Sequence, residues 1–159
     1  MVAGPAALAV PGLTAPGAAR DFGRWQTLTS QCSWQRAPSR LRQPCRGLRL
    51  EQNLEGFLNV RFLADGQGES TALEQLVFAG ALESNQGAMR CSGDGSCTPQ
   101  WPARLVVATV ADASFDPRGL AMGLPRTHLA SGHCALERRR VVCEARGQRG
   151  AIWTAEAEL

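Results

Sequence analysis

The chain of 159 residues contains no lysine, no tyrosine and a single isoleucine, Ile152. All 17 of its basic residues are therefore arginines. Whole residue types go missing under the codon bias of a GC-rich genome, so a cluster of arginines here carries less functional weight than it would among lysines. No apolar run approaches the ~20 residues that a membrane-spanning helix needs. The nucleophile elbow G-x-S-x-G, the P-loop, G-x-G-x-x-G and H-E-x-x-H are all absent, which removes the enzyme classes built on them. No C-x-x-C occurs, so thioredoxin-type redox chemistry and zinc-ribbon spacing are excluded as well. Only two histidines exist, His128 and His133. No internal repeat of fixed period is present. The net charge of +3 falls short of dedicated nucleic-acid binders. No catalytic residue, metal or cofactor is assigned, and no nucleic-acid partner is expected.

What is present begins with an apolar content of 44%, enough for one ordinary core. The length fits one domain. Residues 1–20 stand apart. No charge precedes Arg20, Ala6 to Val10 form a short apolar run, and Gly17-Ala18-Ala19 are small. Pro5, Pro11 and Pro16 interrupt the pattern and there is no basic n-region. This segment reads as a degenerate signal peptide or a disordered leader, followed by one β-rich domain over 21–159.

After Arg20, glycine-, asparagine- and aspartate-containing turn signals recur at strand-sized intervals. Leu58, Val60 and Phe62 alternate with Asn59 and Arg61, and Leu48 and Leu50 alternate with polar neighbours, the period of a half-buried strand. Leu105 to Val110 is nearly continuous and β-branched, so both its faces can be covered. Ile152, Thr154 and Glu156 alternate with Trp153, Ala155 and Ala157. Eight to ten such segments are expected. Residues 72–84 read either way: Thr71-Ala72-Leu73-Glu74 matches a capping box, whereas strand spacing would put Leu76, Phe78 and Leu82 on one side. Leu120 to Leu129 contains Gly123 and Pro125 and reads as a loop or one short helical turn.

Six cysteines are the compositional fact with most chemical content: Cys32, Cys45, Cys91, Cys97, Cys134 and Cys143. Fifteen pairings are possible. Pairing sequence neighbours is the simplest. If Arg138 and Arg139 form a hairpin tip, Cys134 faces Cys143 across a non-hydrogen-bonded pair of about 4.5 Å, within disulfide reach. Cys91 and Cys97 flank Ser-Gly-Asp-Gly-Ser, which closes easily. The competing readings are free thiols and a metal site using His128, His133 and Cys134. Disulfides imply a periplasmic or secreted protein, and free thiols a cytoplasmic one.

Binding candidates come from two directions. Arg36, Arg40, Arg42, Arg46 and Arg49 lie close in sequence beside Trp34 and form a candidate anion patch. They belong to a basic stretch: residues 20–50 hold seven Arg and one Asp, whereas residues 51–83 hold six acids and one Arg. His133 and Cys134 are adjacent, so on a strand they point to opposite faces and cannot meet as base and nucleophile. Glu55, Glu69 and Glu74 have nothing to fix them as an acid–base pair.

Gly23-Arg24-Trp25 opens the first expected strand. A Gly-x-Trp opening in a chain of this length made of short strands resembles the lipocalin and wider calycin superfamily. The resemblance implies an eight-stranded antiparallel barrel with Trp25 at its closed end, under a basic residue of the last strands, Arg146 or Arg149. It also implies a mouth that holds one small ligand.

The expectation is an all-β domain, either an antiparallel up-and-down barrel of lipocalin type or a compact β-sandwich, with room for one short helix. Its leading function is non-enzymatic binding of a small apolar ligand by Trp25, Leu58, Val60, Phe62, Leu105 and Val107, in a monomeric, exported domain. One alternative is a protein–protein module of periplasmic inhibitor type, using loops 36–44 or 120–130. Another is a calycin-type bilin lyase, for which His128 and His133 are the groups to test.

Overall fold

The computed structural model describes residues 22–54, 56–83 and 87–159. The 1–20 leader lies outside the described residues. Twelve strands follow one another: β1 (Gly23–Leu28), β2 (Gln31–Ala37), β3 (Arg42–Pro44), β4 (Gly47–Leu54), β5 (Phe57–Asp65), β6 (Leu73–Leu82), β7 (Met89–Cys91), β8 (Cys97–Pro99), β9 (Ala103–Phe115), β10 (Arg126–Leu136), β11 (Arg140–Gly147) and β12 (Ile152–Glu158). Among the described residues there is no helix, so the protein is all-β and the short helix is not formed. Among the described residues no helix is long and apolar enough to cross a membrane.

Ten strands make one antiparallel sheet in the order β1-β4-β5-β6-β9-β10-β11-β12-β2-β3, and β7 and β8 form a separate hairpin. From β5 through β12 the sheet follows chain order, as an up-and-down arrangement should. The first four strands depart from it. Only Thr29 and Ser30 link β1 to β2, and only Cys45 and Arg46 link β3 to β4, although each pair straddles the sheet order. Such short links are possible only if the sheet curls until its two ends adjoin. The hydrogen bonds at this corner go both ways: Ser30 N donates to Glu158 O on β12 (2.8 Å), and Arg46 N to Leu63 O on β5 (2.8 Å). The result is a half-barrel, the barrel-like outcome of the two expected, with Cys32–Cys45 bridging the corner at a Cα separation of 4.9 Å.

The other two disulfides also join sequence neighbours. Glu137 and Arg140 exchange backbone hydrogen bonds around a tip of Arg138 and Arg139, which sets Cys134 opposite Cys143 at 4.1 Å between Cα atoms. Cys91 faces Cys97 across β7 and β8 at 4.0 Å. Asp94 holds that tight turn by accepting from Ser92 Oγ and from Ser96 N (2.9 Å). All six thiols are consumed, so none is left to ligate a metal or act as a nucleophile.

Within the ambiguous segment 72–84, Leu73–Leu82 is a strand, β6. Local helix signals lost to pairing on both sides, with β5 from Phe57↔Ala81 to Asp65↔Leu73 and with β9 from Leu73↔Phe115 to Leu82↔Leu105. Glu74, the would-be capping-box acid, accepts instead from Gln43 Nε2 at 3.3 Å. The 120–129 reading needs correction in its second half: β10 begins at Arg126, one residue after Pro125, because Arg126 and His128 find partners in Asp112 and Val110 of β9.

The concave face of the sheet carries the core. Leu48, Leu50, Leu58, Val60, Phe62, Phe78, Leu105, Val107, Val110 and Val141 are all buried, with Phe62 edge-to-face on Phe78. The β7–β8 hairpin adds Ala88, Met89 and Cys97 to this cluster. It spans the end of the half-barrel where β6 stops and β9 starts, and Arg24 N donates to Gly95 O to fasten it to β1. Buried among these apolar groups is Gln52, whose side-chain amide has no hydrogen-bond partner among the described residues. An unpaired buried amide costs about 1–3 kcal/mol. Gln52→Met keeps the chain length and removes both polar atoms. It should raise the free energy of unfolding by about 1 kcal/mol in a urea titration. A lower midpoint would mean that the amide is paired after all.

Candidate functional site

Because side chains alternate across a strand, the residues facing the concave side can be read off each strand. On β10 the series runs Leu136, Cys134, Gly132, Ala130, His128, Arg126. On β9 it ends Val110, Asp112, Ser114, and on β6 Phe78, Leu76, Glu74. On β12 and β2 it ends at Trp153 and at Trp34 and Arg36. Every series is apolar towards the β7–β8 hairpin and turns polar or aromatic at the other end. That open end is the candidate site.

Trp153 forms its floor. The ring is 2% exposed and lies across Gly147, where a Cβ would sit 2.8 Å from a ring carbon. The small residues Ala145, Gly147 and Ala130 are what leave room for an indole there. Register pairs Trp153 directly with Arg36. The Arg36 guanidinium lies 5.4 Å from the indole centroid, in cation–π contact. His128 packs on the same indole, with centroids 5.2 Å apart and planes tilted by 37°. Two cavities open beside this group. One of about 220 Å³ is lined by Trp34, Arg36, Glu74, Leu76, Asp112, Arg126 and Trp153 among others. The second, about 310 Å³, is lined by Arg36, Thr127, His128, Leu129, Gly147, Gln148, Arg149, Ala151 and Trp153. In the first, Arg126 is committed to Asp112 by an ion pair of 2.7 Å.

The residues expected from the sequence are distributed as follows. Leu58, Val60, Phe62, Leu105 and Val107 are at most 3% exposed and pack into the core, away from the two cavities. Trp25 lies at the opposite end from the cavities, edge-to-face with Trp101 at 5.8 Å. The lipocalin resemblance implied Arg146 or Arg149 near Trp25. Arg149 instead lines the second cavity, beside Trp153.

The five arginines near Trp34 do not act as one patch. Arg42 pairs with Glu156 (3.4 Å), Arg46 with Asp65 (2.8 Å) and Arg49 with Glu51 (3.4 Å), while Arg40 lies on the exposed turn after β2. Glu156 is also bonded by Arg140 at 2.9 Å, and the two guanidiniums hold its carboxyl below the usual range. Only Arg36 enters the open end. His133 faces outward, 3.8 Å from Glu83, so the two histidines do not meet.

Trp153, His128, Arg126, Asp112 and Glu74 were not assembled into a site from the sequence. The available signal was Trp34-Gln35-Arg36, an aromatic and a cation on one strand face, and Trp153 followed by alanines at every second position. Comparison with family models, with curated proteins and with solved structures finds no match.

Proposed function

We propose that this is a disulfide-stapled binding domain of the exported type, which holds a small planar ligand at the open end of the half-barrel. The observation that carries this reading is the Trp34, Trp153 and Arg36 group beside the 220 Å³ cavity. A flat apolar body fits against Trp34, half-buried at the edge of an otherwise filled core, with the buried Leu76 beside it. Aromatic side chains of this kind supply large contact area at little entropic cost. The ligand sits at the mouth, above the interior side chains that the strand pattern first suggested. A lipocalin-like carrier binds at the same place in its barrel. Three disulfides favour an oxidising compartment, periplasmic or extracellular.

Calorimetric titration with 2-naphthol, a neutral planar probe, tests the reading. Saturable one-to-one binding is expected, weakened about tenfold in Trp34→Ala, in line with the worth of an aromatic stacking contact. Absence of heat, or an unchanged affinity in Trp34→Ala, would overturn it.

A protein partner is the second reading, favoured by one observation. Leu41 (83% exposed) and Leu124 (93%) stand on the loops that leave the two sides of this mouth. Leu124→Asp separates the readings: it leaves 2-naphthol affinity unchanged but abolishes a protein complex formed through the loop.

A further inference from the structure

The second cavity differs from the first in the sign of its lining. Its lining residues include Arg36, Arg149, His128, Thr127 and Gln148, with Trp153 beneath, and among the described residues no Asp or Glu. None of the three basic side chains has an ion-pair partner among the described residues, and they are gathered in one cavity. The cation–π contact with Trp153 also holds the Arg36 guanidinium at this cavity. A guanidinium in contact with an aromatic face through cation–π attraction still has N–H donors to offer a planar oxyanion. The entropic cost of positioning that donor fork is met in folding and not at binding.

We propose that this acid-free half is an anion subsite, so that the ligand of the open end carries a carboxylate or phosphate bound between Arg36 and Arg149. The inference rests on the reading of the open end as a planar-ligand site, and goes beyond it by assigning the charge and orientation of the ligand. The flat body lies on the Trp34 side, where Arg126 and Asp112 neutralise one another, and the anionic group points towards Arg149. Charge-assisted hydrogen bonds to a bidentate fork are stronger than neutral ones, so the anion should dominate affinity.

The test compares 2-naphthol with 2-naphthoate and 2-naphthyl phosphate by calorimetry at low and high salt. The anions should bind about tenfold more tightly than the neutral probe, an advantage that shrinks with salt. Whichever of the two binds better identifies the anion source. Arg149→Gln should cost the anions about tenfold and leave 2-naphthol within about twofold. Arg138→Gln, which removes the same charge at the distant hairpin tip, should change neither. Anions that bind no better than 2-naphthol overturn the subsite while the planar-ligand reading stands. An equal loss for all three probes in Arg149→Gln does the same. Failure of every probe overturns both.

Discussion

Replacing Cys134 and Cys143 by alanine is expected to cost the domain more stability than removing either of the other disulfides. Loop-closure entropy alone would rank the bridges otherwise. Sequence separations of 13, 9 and 6 give about 2.9, 2.6 and 2.2 kcal/mol on that model, so Cys32–Cys45 would lead by a few tenths. Burial reverses the order. Cys134 and Cys143 are both 0% exposed and belong to the central cluster, whereas Cys32 and Cys45 lie at its margin. Deleting two fully buried sulfurs leaves unfilled volume worth roughly 1 kcal/mol or more. The total, about 4 kcal/mol, is a large share of the ~5–15 kcal/mol that holds a domain together. Each pair converted to alanine and melted by calorimetry gives the ranking. For a chain of this size the Cys134/Cys143 variant should melt about 10 °C lower. A larger loss in the Cys32/Cys45 variant would show that chain entropy, and not the buried sulfur contact, governs these bridges.

The same pair shows what was legible in the sequence. A two-residue hairpin tip fixes register, and register fixes which residues face each other, so Cys134 opposite Cys143 follows from Arg138-Arg139 alone. The Leu58, Val60, Phe62 alternation of β5 was equally plain, because a period of two needs no partner to be visible. It identified a buried face. Whether that face encloses a ligand or fills the core depends on the facing strands, and those are remote in sequence. Residues 71–82 carried real helix signals; only the partners β5 and β9, one of them some thirty residues away, decided the matter.

The open end was illegible for a similar reason. Arg36 and Trp153 are direct register partners at opposite ends of the chain. Grouping Arg36 with Arg40, Arg42, Arg46 and Arg49 followed nearness in sequence, which strand alternation and the corner at Arg46 then broke up. The charge asymmetry has the same explanation. The basic stretch 20–50 and the acidic stretch 51–83 meet along β4 and β5, where Arg46–Asp65 and Arg49–Glu51 pair one with the other. Part of what looked like two charged faces is internal pairing. Among the arginines without an ion-pair partner in the described residues, Arg36 and Arg149 are the informative ones, because they line one cavity.

The most damaging single methyl group should be the one added by Gly132→Ala. Gly132, Gly80 and Val107 are register partners across three strands, beside a register shift in each ladder of β9, with the extra residue on β10 in one and on β9 in the other. A Cβ at Gly132 would overlap the Glu144 carbonyl oxygen and lie 2.6 Å from the Ala145 Cα. Both are backbone atoms of β11, which cannot retreat because β12 is hydrogen-bonded to its far side. Relief requires prying β10 from β11, beside the Cys134–Cys143 bridge. Overpacking of this kind costs 1–3 kcal/mol where side chains can yield, so about 3 kcal/mol or more is expected here. Gly150→Ala is the control. Its Cβ would meet nothing within 4 Å, and a φ of +81° leaves only local strain, about 1–2 kcal/mol. The same row continues from Gly132 through Ala145 to Trp153 and Arg36, so the damage should reach the mouth. Gly132→Ala should weaken binding of 2-naphthoate even below its melting range. Gly150→Ala should lose stability with little change in affinity. Urea unfolding and calorimetry on the two variants check both statements. If Gly132→Ala proves no worse than Gly150→Ala in stability, β10 and β11 separate without cost, and the close approach at the bulge does not hold the half-barrel in register.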